Sequence, residues 1–200
     1  MTVLSIPGTG KYTARHMPEE EQRWTPGFWV RQRRLAWITR KTEAARRRVA
    51  QRLALLGPDW RVLDIKEATG SDYLAIGPGG IFAVTVKDHG RARVMLAGEV
   101  VQVEGQRPPY VAMARRDASR ISEAMSKVAG RRIPVIPVLA FLGAGEIVYY
   151  GKPPEGCVVA SYRDLGRALD AHGNRLAQNT IDKLTALASR VDVGPLGAKG

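Results

Sequence analysis

The stretch SDYLAIGPGGIFAVTVKD (71–88) constrains this chain more than any other. Two apolar runs, DYLAIG (72–77) and IFAVTV (81–86), flank a Pro-Gly-Gly turn, which predicts a β-hairpin. Side chains alternate along a strand, so Phe82, Val84 and Val86 share one face while Ile81, Ala83, Thr85 and Lys87 share the other. The turn returns Asp72 toward the end of the sheet where Lys87 sits. An acid and a lysine are therefore expected close together.

The rest of the chain supplies partners for that hairpin. WRVLDI (60–65) alternates as a strand, and RARVML (91–96) with EVVQVEG (99–105) reads as a second hairpin. RRIPVIPVLAFLG (131–143) contains a nearly continuous apolar run, as a central strand buried on both faces would, although Pro134 and Pro137 weaken its early part. EIVYYG (146–151) and CVVAS (157–161) add short strands. A helix is predicted over 28–56, with Ile38, Ala45, Val49, Leu53 and Leu56 on its apolar side and Gly57-Pro58 stopping it. A second helix spans 110–129, with Ala114, Ile121, Met125 and Val128 on one side, and two more cover 161–171 and 175–190. This order predicts an α/β (α+β) fold, a mixed sheet flanked by helices, whose early strands are antiparallel and whose later strand arrives by a helical crossover. The expected organisation is a partly irregular N-terminal extension (1–27), one domain (28–190) and a disordered tail (191–200). A chain of 200 residues can bury a full core without disulfides.

Charge narrows the partners. Of the formal net charge of +12, residues 28–52 supply +8, with nine Lys/Arg against the single acid Glu43. The guanidinium fork matches phosphate oxygens, so Arg40, Lys41, Arg46, Arg47 and Arg48 are candidate nucleic-acid contacts, although basic charge alone also suits anionic lipid. Trp24, Trp29 and Trp37 lie among the arginines, either packing this arm onto the domain or stacking on bases. No stretch reaches the ~18 apolar residues of a membrane span. The N-terminus lacks the pattern of a signal peptide, so a soluble, cytoplasmic protein is expected. The lone Cys157 reads as a small buried hydrophobe.

Several chemistries are excluded. PGTGKYT (7–13) fails as a phosphate loop, because Ser5 stands where the first Gly belongs and Tyr12 where the metal-binding hydroxyl belongs. His16, His89 and His172 lack partners at zinc-ligand spacing. Ser71, Ser161 and His172 lack a nucleophile elbow.

From LGPDWRVLDI through SDYLAIGPGGIFAVTVKDHG, the chain resembles the nuclease-related domain (NERD) family, a branch of the PD-(D/E)xK restriction-endonuclease-like nucleases. The resemblance covers roughly residues 40–190 and is most specific at IGPGGIFAVTVKD. It implies a restriction-endonuclease-like core and a phosphodiesterase site in which two carboxylates hold Mg²⁺ or Mn²⁺ beside a lysine. It also implies nucleic acid, DNA in the first place, as partner. Carried over by position, Asp72 would be the first metal ligand and Lys87 the catalytic lysine. The family's second acid falls on Thr85, its His after the Asp on Tyr73, and its helical Glu on Arg46. Thr85 offers no charge to a metal, so the site is expected to be degenerate. Glu43 or Asp64, with Glu67 and Asp88 behind them, are the sources of a displaced carboxylate. Three readings stay open: a metal-dependent nuclease completed by a migrated acid, a non-catalytic nucleic-acid-binding module, and a protein-interaction module.

Overall fold

Residues 42–53 form helix α1, and they do so with Ala45, Val49 and Leu53 recurring every fourth position, all three buried. A 3₁₀ turn, Ala54–Leu56, leads to Gly57, whose φ of 102° ends the helix where Gly-Pro was expected to. The computed structural model describes residues 42–65 and 70–191. The expected extension 1–27, the start of the basic helix, Trp24, Trp29, Trp37, Arg40, Lys41, His16, Glu67 and the tail 192–200 lie outside the described residues.

The strands follow as β1 Arg61–Asp64, β2 Tyr73–Gly77, β3 Gly80–Asp88, β4 Arg93–Ala97 and β5 Val100–Val103. After helix α2 Tyr110–Ala129 come β6 Ile136–Leu142, β7 Glu146–Tyr149 and β8 Val158–Ser161, then helices α3 Leu165–Asp170 and α4 Gln178–Ala188. The main sheet has the order β1-β2-β3-β6-β8. Its first three strands are antiparallel and β3, β6 and β8 are parallel, so the expected helical crossover is α2. β6 is indeed central, and Pro137 costs little because β8 begins to pair only at Val138. The second hairpin forms as read but leaves this sheet. β4 pairs with β5 and with β7 in a separate three-stranded sheet, a long-range pairing that no local pattern announces.

The turn of the first hairpin needs its glycines for space. A Cβ on Gly77 would sit inside the Trp60 indole, and one on Gly79 would come within 2.9 Å of the Leu169 carbonyl oxygen. The glycines thus let β1 and α3 close over the hairpin.

The two faces of β3 bury different cores. Phe82 and Val84 pack with Val49, Leu53, Val138, Ala140, Leu165 and Leu169 under α1 and α3. Ile81 and Ala83 pack with Ala118, Ile121, Met125, Ile181 and Leu184 under α2 and α4. Each fully buried Leu, Ile or Met contributes on the order of 1.5–3 kcal/mol. Along α2 the buried stripe is Val111, Ala114, Asp117, Ala118, Ile121 and Met125. Val128, expected on that side, is 55 % exposed because it lies on the last turn beyond the edge of the core.

Candidate functional site

β3 is longer than its partner. β2 pairs with it only from Gly80 to Val84, so Thr85–Asp88 run on beside β6 with their other edge open. An open edge leaves backbone groups to satisfy. Asp72 fills the gap: its N–H donates to the Val84 carbonyl at 2.8 Å, and its Oδ2 accepts the Val86 N–H at 2.7 Å. The carboxylate continues the ladder as a backbone carbonyl would. Its other oxygen, Oδ1, lies 2.9 Å from Nε of Arg46. Both oxygens of the expected first metal ligand are therefore engaged.

Arg46 was expected among the nucleic-acid contacts, but the α1 register turns it inward with Ala45 and Val49, and it is only 7 % exposed. Its guanidinium reaches three acids, with Nη1 3.2 Å from Glu43, Nη2 2.7 Å from Asp64 and Nε beside Asp72. Tyr73, in the position of the family's His, donates its hydroxyl to the Arg46 carbonyl at 3.1 Å and lays its ring 5.3 Å from the guanidinium. Burial opposes the Arg46 charge, yet Asp64, Tyr73, Asp72 and Glu43 together hold its pKa above the ordinary value. Burial likewise pushes Asp72 up, against the Val86 N–H, Arg46 and Lys87. Glu43 and Asp64, the expected sources of a displaced acid, thus gather round a cation already supplied by the chain.

Thr85 is buried and donates to Ser71 Oγ at 3.4 Å, so the second-acid position is closed by two hydroxyls. Lys87 points to the α2 side, with Nζ 4.8 Å from the centre of the Tyr110 ring. Burial lowers its pKa, while Asp72 and Asp117 hold it up. The expected proximity of Asp72 and Lys87 is thus an electrostatic one, without a direct ion pair between them among the described residues. Asp117 is the residue that sequence reasoning missed. It is 4 % exposed, its carboxyl is raised by burial against Arg116, Arg120 and Lys87, and a Cβ on Gly70 would run into its carboxylate. The signal was available, because an acid three residues after Ala114 and four before Ile121 stands on the apolar stripe.

Other candidates take structural places. Asp88 Oδ1 accepts the Gly90 N–H at 2.8 Å. His89 shares a 3.0 Å hydrogen bond with the Tyr110 hydroxyl, and His172 stands edge-on to Phe82 at 5.1 Å, so both are half-buried in loops. Cys157 is buried, and burial raises its thiol to about 11, which keeps it protonated and inert. Arg47 and Arg48 are exposed on α1.

Mg²⁺ or Mn²⁺ does not fit this corner. The Arg46 guanidinium occupies the centre of the carboxylates, and the two Asp72 oxygens already meet Arg46 and the Val86 N–H. Among the described residues no group of three His, Cys, Asp or Glu is arranged to hold a metal. No helix among them is long and apolar enough to cross a membrane. No protein-family model, no curated protein and no solved structure matches this chain.

Proposed function

We propose that this chain is a non-catalytic nucleic-acid-binding domain on a restriction-endonuclease-like scaffold, related to the NERD nucleases and no longer equipped for metal-dependent cleavage. One observation carries the reading: Arg46 stands among Glu43, Asp64 and Asp72, where a metal-dependent phosphodiesterase needs a divalent cation. The element order supports the scaffold, with a helix, three antiparallel strands, a helix and a strand parallel to the third. The exposed Arg47 and Arg48 support the partner, since both face solvent and neither forms an ion pair with another described residue. Binding of this kind is dominated by phosphate, steeply salt-dependent and weakly sequence-specific.

The test is a salt titration of labelled DNA by fluorescence anisotropy, run beside a cleavage assay in Mg²⁺ and in Mn²⁺. The expected result is binding that weakens with rising salt and no cleavage. Cleavage by the wild type that disappears in Lys87→Met would overturn the reading and make Lys87 catalytic.

A further inference from the structure

The parallel strands β6 and β8 end at Leu142 and Ser161, and an open groove of about 880 Å³ lies just beyond them. Crevices at the carboxyl ends of parallel strands are where open α/β sheets place ligands, and sites of about 300–1,000 Å³ hold them. The groove's other wall comes from the second sheet, through Ile147 and Tyr149. The Tyr149 hydroxyl donates to the Val159 carbonyl at 3.0 Å, which fixes that ring between the two sheets.

Three arginines, Arg91, Arg163 and Arg167, line the groove. No described residue pairs with Arg91. Among the described residues, Arg163 meets the Tyr162 hydroxyl at 3.5 Å and lies over the edge of that ring, 5.8 Å from its centre, and Arg167 meets Asp164 at 3.7 Å. The two acids on the lining are already engaged, since Glu146 accepts both Nε and Nη2 of Arg93, and Asp164 accepts the Ser161 hydroxyl at 2.7 Å. The basic helix runs into this mouth. Arg52 of α1 donates to the Arg163 carbonyl at 2.7 Å, and the Tyr162 phenol has its pKa lowered chiefly by Arg163, through its hydrogen bond and charge, with Arg48 and Arg52 adding to it. Cations thus continue from the exposed face of α1 to the groove, with Tyr162 beside them and Tyr149 on the groove's other wall.

We infer that this groove binds single-stranded nucleic acid, with phosphates on Arg163, Arg167 and Arg91 and a splayed base against Tyr162 or Tyr149. The inference rests on the nucleic-acid reading above and adds the strand state. A duplex keeps its bases stacked inside and presents phosphates alone, so a concave site lined by tyrosines gains little from it. A single strand offers both a backbone for the arginines and exposed π-faces for the rings.

The test compares a labelled single strand of about ten nucleotides, within the usual site sizes of about 4–16, with its duplex. Wild type, Tyr162→Ala, Tyr162→Phe, the pair Arg163→Ala with Arg167→Ala, and the pair Arg47→Ala with Arg48→Ala are titrated. Wild type is expected to prefer the single strand, and Tyr162→Ala to weaken it about tenfold, as removal of one stacked base does. Tyr162→Phe keeps the ring and should bind as wild type. The groove arginine pair should reduce the single-strand salt slope by about 1.4, at about 0.7 for each phosphate no longer neutralised. If groove variants bind the single strand like wild type while the α1 pair binds weakly, the groove inference falls and the nucleic-acid reading stands. Displacement of the strand by a free mononucleotide at similar concentration would also overturn it, by making the groove a nucleotide pocket. Binding to neither form at low salt would remove the nucleic-acid reading and this inference together.

Discussion

Arg46 and Arg47 are neighbours on one helix and sit in opposite environments. Arg46 is buried and spends its guanidinium on Glu43, Asp64 and Asp72, whereas Arg47 faces solvent, as do the arginines of the groove. A cation surrounded by its own acids holds the end of a sheet together. A cation without them is available to a ligand. Net charge does not separate the two cases, because each contributes the same unit to it. What separates them is the helix register, which turns one side chain inward and the next outward.

The largest test of this contrast is removal of the inner cation. Arg46→Ala leaves the Asp72 carboxylate at a buried strand edge without its charge partner, and breaking buried pairs typically costs about 3–5 kcal/mol. Because Glu43 is half-buried and Asp64 is exposed, a loss near the low end, about 3 kcal/mol, is expected, read as a lower midpoint in chemical denaturation. A midpoint unchanged from wild type would show that the acids need no cation. Next in size is the outer pair. Arg47→Ala with Arg48→Ala should flatten the dependence of duplex DNA affinity on salt by about 1.8, at about 0.9 for each duplex phosphate no longer neutralised. An unchanged slope would place the binding surface elsewhere.

A smaller effect sharpens the inner region. Burial lowers the Lys87 pKa while Asp72 and Asp117 oppose that shift. Neutralising either acid removes part of the opposition, so Asp72→Asn and Asp117→Asn should each lower it further. The amine then loses its proton at a lower pH, and Lys87 should react with an amine-acylating reagent from a lower pH onward, followed residue by residue by mass spectrometry. A profile unchanged in both variants would place Lys87 beyond reach of both carboxylates. The smallest expected effect is on stability in the outer pair. The exposed Arg47→Ala should change the unfolding free energy by no more than about 0.5 kcal/mol, and a loss comparable to that of Arg46→Ala would erase the contrast.

Much of the fold was legible because its signals are local. Apolar alternation around Pro-Gly-Gly marked the β2–β3 hairpin, a nearly continuous apolar run marked β6 as an interior strand, and α2 was read to its observed ends. The split into two sheets was not legible, since Val94 meets Ile147 across more than fifty residues and no short-range pattern encodes that pairing. In the site, Asp72 and Lys87 were found from their strand positions. The inward Arg46 was hidden by arginines on both sides of it in sequence, and Asp117 by its place within an otherwise ordinary helix.

By itself the sequence determined the elements, the strand ends where charge collects and the excess of arginine, because periodicity, turn chemistry and composition act over a few residues. Only the tertiary structure decided what the charges do. Three acids from a helix, a strand and a turn converge on Arg46, while Arg91, Arg163 and Arg167 line an open groove whose acids, Glu146 and Asp164, are engaged by Arg93 and Ser161. Electrostatic pairing depends on distance in space and on burial, and both are set by packing between elements far apart in the chain.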